Sequence, residues 1–398
     1  MKKHLVIICG VYYPNPSPTG LCAKRFAELM LDEYDVEIIS LSENGQNETV
    51  KNDDGITVYT LSGVRASAEK KASGITKKLL HAMGGIQIKT SILGNLKWYE
   101  KKVIKKLHCI NKSRKIDTVF SICSPMAAHS AACKYKKENK NVKWCAYTVD
   151  PYSSKGRIRP VFCSFEKLAL FEKNIISKAD MLLLSEEVYK NRLDLYDGKA
   201  ECEPLPYMLP YESNSIETES VFSKEDINCV YGGRFYPGLR DPEKMLKCFS
   251  NIKDHKIKLH LFSIGCEDTV SKYAEFSPNI ILHNQVSHKE ILKVYEEADI
   301  LISVGNNSLE FFPSKIFEYI ITRKPLVHFY GCGVRDSLLE DYPSVLQIDN
   351  NSEECETDAL ESFIFSDKED ITRARIEQIY YKHTAENIKS ILTRSLRL

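Results

Sequence analysis

Short apolar runs alternate with helix-patterned stretches from the first residues of this 398-residue chain almost to its last. HLVIICGVYYP reads as a buried strand that enters the loop PNPSPTG and then the helix-like CAKRFAELMLDEY. VEIISLS follows as a second strand. DTVFSICSP, a helix rich in Ala and Lys, VKWCAYTVDP and KADMLLLSEE continue the series. Strands that alternate with helices in this way build doubly wound α/β layers, so the pattern predicts an α/β fold.

The periodicity stops in ECEPLPYMLPYESNS, where prolines cluster between Pro204 and Pro210, and this marks a linker. It restarts with INCVYGGRF, IKLHLFSIG, NIILHNQVS, ADILISVG and KPLVHFYG. The tail DITRARIEQIYYKHTAENIKSILTRSLRL is helical in pattern. Two domains are therefore expected, residues 1–208 and 209–378, with a terminal helix over 379–398. A hydrophobic fraction of 43% and a net charge of +1 exclude a disordered chain and one steered wholly by nucleic acid. The thirteen cysteines are odd in number, form no CxxC pair and lie mostly in or beside apolar runs. MKKHLVIIC reads as a first strand and not a secretory leader, and no apolar run is long enough to span a bilayer. Together these point to a reducing cytoplasm.

Chemistry-bearing residues concentrate in two tracts of the second half. NNSLEFFPSKIFEYIITRKPLVHFY, residues 306–330, sets Glu310 and Glu318 eight positions apart around Pro313, Ser314 and Lys315. Pro313 resets the backbone, and Ser314 is the expected N-cap of a helix carrying Glu318 about one turn in. The N–H groups of such a helix end favour an anion. Upstream, VYGGRFYPGLRDPE follows an apolar run with Gly232, Gly233, Arg234 and Arg240. Glycines after a strand let a ligand approach the backbone, and arginines hold phosphate oxygens in bidentate fashion. A capped surface helix with an incidental Glu pair remains the alternative for the first tract taken alone.

Taken together, the two tracts resemble the carboxyl-terminal half of GT-B glycosyltransferases of the large retaining class that uses nucleotide-sugar donors. The resemblance implies two Rossmann-like doubly wound domains facing a central cleft, with a C-terminal helix crossing back to the first. It implies that Gly233, Arg234 and Arg240 neutralise the donor diphosphate, although the family more often has Lys at the last of these places. It assigns the donor ribose to Glu318 and the transferred sugar to Glu310, and it draws Ser314 and Lys315 into the donor site. Gly265, in the turn SIG, resembles the glycine under the nucleotide, and backbone groups near Val286 and Ser287 would read the base. The form PSKIFEY resembles a branch acting in surface-polysaccharide assembly.

In open α/β sheets ligands bind at the carboxyl ends of strands, which directs attention to four loops of the first half. Gly20, after PNPSPT, reads equally as a turn former or as a donor-phosphate contact, and the resemblance favours the donor. His129 lies in a predicted helix and reads as a packing or surface histidine. Thr148, Val149 and Asp150 stand where many retaining relatives carry a histidine near the sugar. Asp150 is accordingly expected to serve the donor sugar or an acceptor hydroxyl, with a turn-forming role as the alternative. Ser185 and Glu186 close a strand, and Ser185 is equally a helix cap. His283 and His288 suit a strand end and a helix start, and no His, Asp or Glu cluster has metal-ligand spacing. No metal or other cofactor is expected, because arginine and lysine would supply the charge for the departing diphosphate.

From Ile75 to Lys115 ten lysines and one arginine face a single acid, Glu100, interleaved with Trp98, Tyr99 and aliphatics. The segment reads as a solvated helical face or as a basic amphipathic surface for an anionic membrane. The membrane reading fits a polyprenyl-linked acceptor and a peripheral position on the inner membrane face. No nucleic-acid motif accompanies the patch. The expected activity is transfer of a sugar from a nucleoside-diphosphate donor to a glycan or lipid-linked saccharide hydroxyl, with retention as the family expectation. Nothing in the residues names a covalent nucleophile. A nucleotide-sugar epimerase of the same fold and a non-catalytic subunit are the competing classes.

Overall fold

The computed structural model describes residues 2–14, 16–52, 54–63, 92–93, 96–154, 163–196, 200–210, 220–308, 315–354 and 356–397. The chain divides into two compact units, Met1–Met208 with Ala385–Leu398, and Leu209–Thr384.

In the first unit the order is β1 (Lys3–Val11), α1 (Pro18–Met30), β2 (Tyr34–Leu41), β3 (Glu48–Lys51), β4 (Thr57–Leu61), α2 (Lys97–Ser113), β5 (Thr118–Cys123), α3 (Met126–Glu138), β6 (Lys143–Thr148), α4 (Phe165–Ile176), β7 (Met181–Leu184), α5 (Glu186–Arg192) and β8 (Glu201–Pro204). The sheet runs β3-β4-β2-β1-β5-β6-β7-β8, parallel except for β3 against β4. β1 is buried from His4 to Gly10 and β5 throughout, because helices cover both faces of the sheet. Val6, Ile8 and Trp144 meet Tyr99, Val103 and Leu107 of α2 on one face. Leu5, Ile7 and Tyr147 meet Phe26 and Met30 of α1 on the other.

The second unit continues with β9 (Ile227–Arg234), α6 (Glu243–Ser250), β10 (Ile257–Ile264), α7 (Glu267–Phe276), β11 (Ile280–Leu282), α8 (His288–Glu297), β12 (Ile300–Val304), α9 (Ile316–Thr322), β13 (Leu326–Tyr330), β14 (Val345–Asp349), α10 (Thr357–Phe365) and α11 (Arg373–Ile379). Its sheet is wholly parallel in the order β11-β10-β9-β12-β13-β14. Strand order reverses between β9 and β12, and at such a switch point the strand ends leave an opening for a ligand. The first unit reverses in the same way between β1 and β5.

The terminal helix α12 (Ala385–Arg397) belongs to the first unit. Ile388, Leu392 and Leu396 are buried with α1 and the sheet, worth roughly 2 kcal/mol for each aliphatic side chain. Ion pairs from Lys389 to Asp32 at 2.6 Å and from Arg397 to Glu33 at 2.7 Å edge that face. They are exposed and contribute little beside the apolar stripe.

Two sequence features gain a packing role here. Gly20 lies in the first turn of α1, and its N–H donates to Oγ of the N-cap Ser17 at 3.2 Å. A Cβ at Gly20 would stand 1.8 Å from the Val11 carbonyl oxygen, so the glycine lets α1 press onto the end of β1. The basic helix α2 turns Tyr99, Val103, Leu107 and Ile110 into the core, leaving a lysine-bearing face outside. Glu100 is buried on that apolar side, paired with Lys134 at 2.6 Å and accepting from Ser130. Residues 75–91 of the basic segment lie outside the described residues.

Candidate functional site

The second unit brings Gly232, Gly233, Arg234, Arg240, Gly265, Lys315 and Glu318 together around the ends of β9 and β10 and the start of α9. β9 can end in two glycines because its last turn is crowded. A Cβ at Gly232 would lie 2.1 Å from the Tyr295 hydroxyl oxygen, and one at Gly233 would lie 3.0 Å from that of Tyr231. The Gly232 carbonyl is the hub. Tyr319 donates to it at 3.0 Å, Tyr295 at 3.1 Å and the Lys315 ammonium at 3.2 Å. Side chains from α8 and α9 thereby fix the strand end from which Arg234 projects.

Past β9 the chain folds back on itself. Tyr236 and Arg240 form an isolated antiparallel bridge around Gly238, whose φ of +71° is in the left-handed region. Arg240 donates through Nε to Asn306 Oδ1 at 3.0 Å, joining this turn to the loop after β12 across the switch point. Arg234 is exposed, and both guanidinium carbons lie 6.0 Å from the Tyr236 ring centroid. Two arginines therefore flank one aromatic face, a geometry that suits planar or phosphate-bearing ligands.

Gly265 has a φ of +89°, and a Cβ there would lie 2.4 Å from the Phe235 carbonyl oxygen, so only glycine fits. α9 begins at Ile316 with Lys315 in the cap position and no side-chain cap. α9 has seven residues, and the charged side chains at its start are Lys315 and Glu318. Burial pushes the Lys315 ammonium below the usual lysine range, opposed by Glu318 and reinforced by Arg240. Ser314 and Glu310 lie outside the described residues.

Glu318 is 8% exposed, with Oε1 3.1 Å from Nε2 of His288 and a buried Oε2 that has no hydrogen-bond partner among the described residues. A buried carboxylate oxygen without a donor is costly, and a ligand hydroxyl would repair it. The structure thus gives His288 a role at the site that its helix-start reading did not contain. Near the backbone expected to read the base, at Val286 and Ser287, the Ser287 N–H donates to the Glu290 carboxylate at 2.7 Å in a capping box that opens α8. His283 stacks on Phe262 with ring centroids 4.2 Å apart and lies 2.9 Å from Nδ1 of His260. Among the described residues, no three His, Cys, Asp or Glu side chains are placed to hold a metal ion.

Asp150 and Gly20 lie in the first unit. Asp150 follows the end of β6 in a loop clamped by Glu172, a 1% exposed carboxylate on α4. The N–H groups of Tyr152 and Ser153 and the Ser153 hydroxyl each donate to it at 2.9 Å, and Tyr196 donates at 3.0 Å. Sequence reasoning missed Glu172, although a signal was present. It sits on the apolar stripe of α4 with Leu168, Ile175 and Ile176, where a charged residue needs partners. Ser185 is the N-cap of α5 and also donates to the Val149 carbonyl at 2.7 Å. His129 is buried between Ser121 and Thr148, and burial lowers its pKa to about 3, so the ring is neutral.

No family model and no curated protein matches this sequence. Solved structures do match in fold. OtsA in its apo form superposes with a TM-score of 0.69 at 12% identity, over 100% of this chain and 99% of that one. An alpha,alpha-trehalose 6-phosphate synthase from Burkholderia multivorans gives 0.64 at 11% identity, over 100% and 98%. The glycotransferase of kitacinnamycin gives 0.55 at 13% identity, over 99% of both chains. Identities this low report architecture, and the architecture is the GT-B fold over the whole length of the chain.

Proposed function

We propose that the protein is a glycosyltransferase that moves a sugar from a nucleoside-diphosphate donor to the hydroxyl of a glycan or lipid-linked saccharide. The observation that carries this reading is the gathering of Arg234, Arg240, Lys315 and Glu318 around the glycine end of β9, in a chain of GT-B fold. Arg234, Arg240 and Lys315 supply positive charge where a diphosphate leaves, which lowers the barrier by electrostatic stabilisation. Glu318 takes a ribose hydroxyl on the carboxylate oxygen that His288 leaves open. Glu310 addresses the transferred sugar, and Asp150, held by its clamped loop, serves the sugar or the acceptor hydroxyl. Gly233 and Gly265 bring the backbone close to the phosphates. The donor is a substrate, and the chain's own cations do the work a bound metal does elsewhere.

Retention of configuration follows from the family resemblance, and a place in surface-polysaccharide assembly from the PSKIFEY tract. One structural neighbour is a UDP-forming alpha,alpha-trehalose-phosphate synthase from Burkholderia xenovorans in complex with glucose-6-phosphate, which makes uridine diphosphate sugars the first donors to try. The acceptor side is assigned to an anionic membrane surface on the inner face of the cell membrane. Lys97, Lys101, Lys105 and Lys112 are exposed on α2 at helical spacing, and each such contact is worth ~1 kcal/mol. Among the described residues no helix is long and apolar enough to cross a membrane.

Thermal-shift titration with a panel of nucleoside-diphosphate sugars tests the donor assignment, because a bound ligand raises the melting temperature by mass action. A selective rise with one nucleotide class supports it, and a flat response across the panel removes it. Product analysis with donor alone separates a transferase from an epimerase, which would return an isomerised nucleotide sugar.

A further inference from the structure

The turn between β10 and α7 already holds an anion supplied by the chain. Gly265 and Cys266 both adopt left-handed backbone conformations, with φ of +89° and +56°. This bend aims the Gly265 N–H at Oε1 of Glu267, 2.7 Å away. The turn adjoins the arginine end of β9. Arg234 pairs with Ile264 in the parallel register, and the Phe235 N–H donates to the Ile264 carbonyl at 2.8 Å. Glu267 is exposed and ionised. The Gly265 N–H, its own N–H and, more weakly, the Arg234 guanidinium hold its carboxyl below the usual carboxylate range.

We propose that the Glu267 carboxylate is an internal competitor for the donor diphosphate, seated on the backbone N–H that a phosphate oxygen takes when the donor binds. The inference rests on the donor reading given above and adds a residue that sets donor affinity. A phosphate oxygen and the Glu267 carboxylate cannot both take the one Gly265 N–H without like-charge repulsion. Glu267 is an exposed side chain on rotatable bonds, so it can leave the seat without disturbing the strands. Its return after transfer would hasten release of the nucleoside diphosphate product. Glu267 thus lowers affinity for donor and product alike, and its removal strengthens binding, the opposite of what loss of an ordinary site residue does.

Calorimetric titration of inorganic pyrophosphate, uridine diphosphate and uridine into wild type, Glu267→Gln and Glu267→Ala tests this. Glu267→Gln keeps the size and a hydrogen-bond acceptor while removing the charge, so folding is preserved even if the alanine variant is weakened. Both variants are expected to bind pyrophosphate and uridine diphosphate about threefold to tenfold tighter, with uridine unchanged. Phosphate affinity in Glu267→Gln equal to or weaker than wild type overturns the competitor role. If wild type and all variants, Arg234→Ala included, bind neither phosphate ligand, the donor reading itself falls.

Discussion

Arg240 reaches across the switch point of the second sheet to Asn306, Nε to Oδ1 at 3.0 Å, and so fixes the turn after β9 to the loop after β12. The contact uses one edge of the guanidinium. NH1 lies 3.4 Å from the Arg234 carbonyl oxygen, so the same side chain also braces the segment that carries its partner arginine. Both arginines are thus braced on one turn at the end of β9, and on the proposed reading they form a preorganised phosphate clamp.

Replacing either arginine with alanine is therefore expected to cost about 1.5–3 kcal/mol of nucleoside diphosphate affinity, the range for a charge-assisted hydrogen bond. Arg240→Ala should also loosen the turn and depress turnover further. Calorimetry on the two variants measures this, and wild-type affinity in both would remove the phosphate assignment.

Glu318 and Glu310 should separate by ligand. Glu318→Gln is expected to weaken nucleoside diphosphate and intact donor alike, since both carry the ribose, while Glu310→Gln spares nucleoside diphosphate and slows transfer. His288→Ala should follow Glu318→Gln in direction at smaller magnitude, because it only orients the carboxylate. Identical effects of the two Glu variants on nucleoside diphosphate binding would contradict the division.

The strands and their alternation with helices were legible because both sheet faces are covered, which turns every parallel strand into an apolar run. The glycine-arginine end of β9 was equally plain. Other features depend on contacts that no local pattern carries. Gly20 reads in sequence as a turn former or a donor-phosphate glycine, and the constraint from the Val11 carbonyl, set by how closely α1 lies on β1, is an additional one that no local pattern shows. Ser314 lies outside the described residues, and what no local pattern announced is that Lys315, at the cap of α9, sends its ammonium to the Gly232 carbonyl. The His288–Glu318 contact joins two helix starts from separate crossover units and left no mark in either tract. Glu100 and Glu172 were readable as charges on apolar helix stripes, a signal that spacing alone supplies.

Acid should weaken the fold through three buried histidines. Burial lowers the pKa values of His129, His260 and His328 from 6.5 to about 3, 4 and 4, with His283 and Lys258 adding at His260 and Arg240 at His328. The unfolded chain then binds more protons than the folded one below pH 6.5. Stability is full above that value and is lost as pH falls toward the folded values, by up to about 1.4 kcal/mol per pH unit for each group. Urea midpoints between pH 8 and pH 4 should drop mainly in the lower part of that range, and His260→Gln should flatten the decline. An acid limb identical in His260→Gln and wild type would contradict the assignment.

Membrane docking through α2 is expected to follow its outer lysines. Changing Lys97, Lys101, Lys105 and Lys112 to Gln should reduce co-sedimentation with anionic vesicles at low salt, without altering nucleotide affinity. Lys102 donates to the Ser62 carbonyl at 2.7 Å and Lys106 lies 4.2 Å from the Tyr59 ring centroid, so both have structural work and are poor probes. Wild-type sedimentation of the quadruple variant would return the stripe to a solvated face and favour a soluble acceptor.

On this reading, sugar transfer is powered by a nucleoside-diphosphate leaving group held at Arg234 and Arg240. The most direct measurement is release of nucleoside diphosphate from a donor panel in the presence of a lipid-linked or glycan acceptor, with the product resolved by NMR. The expected product is a new glycosidic linkage of the donor's own anomeric configuration, formed with one nucleotide class and largely lost in Arg234→Ala. Isomerised donor without a glycoside, or glycoside formation unaffected in both Arg234→Ala and Arg240→Ala, would contradict it.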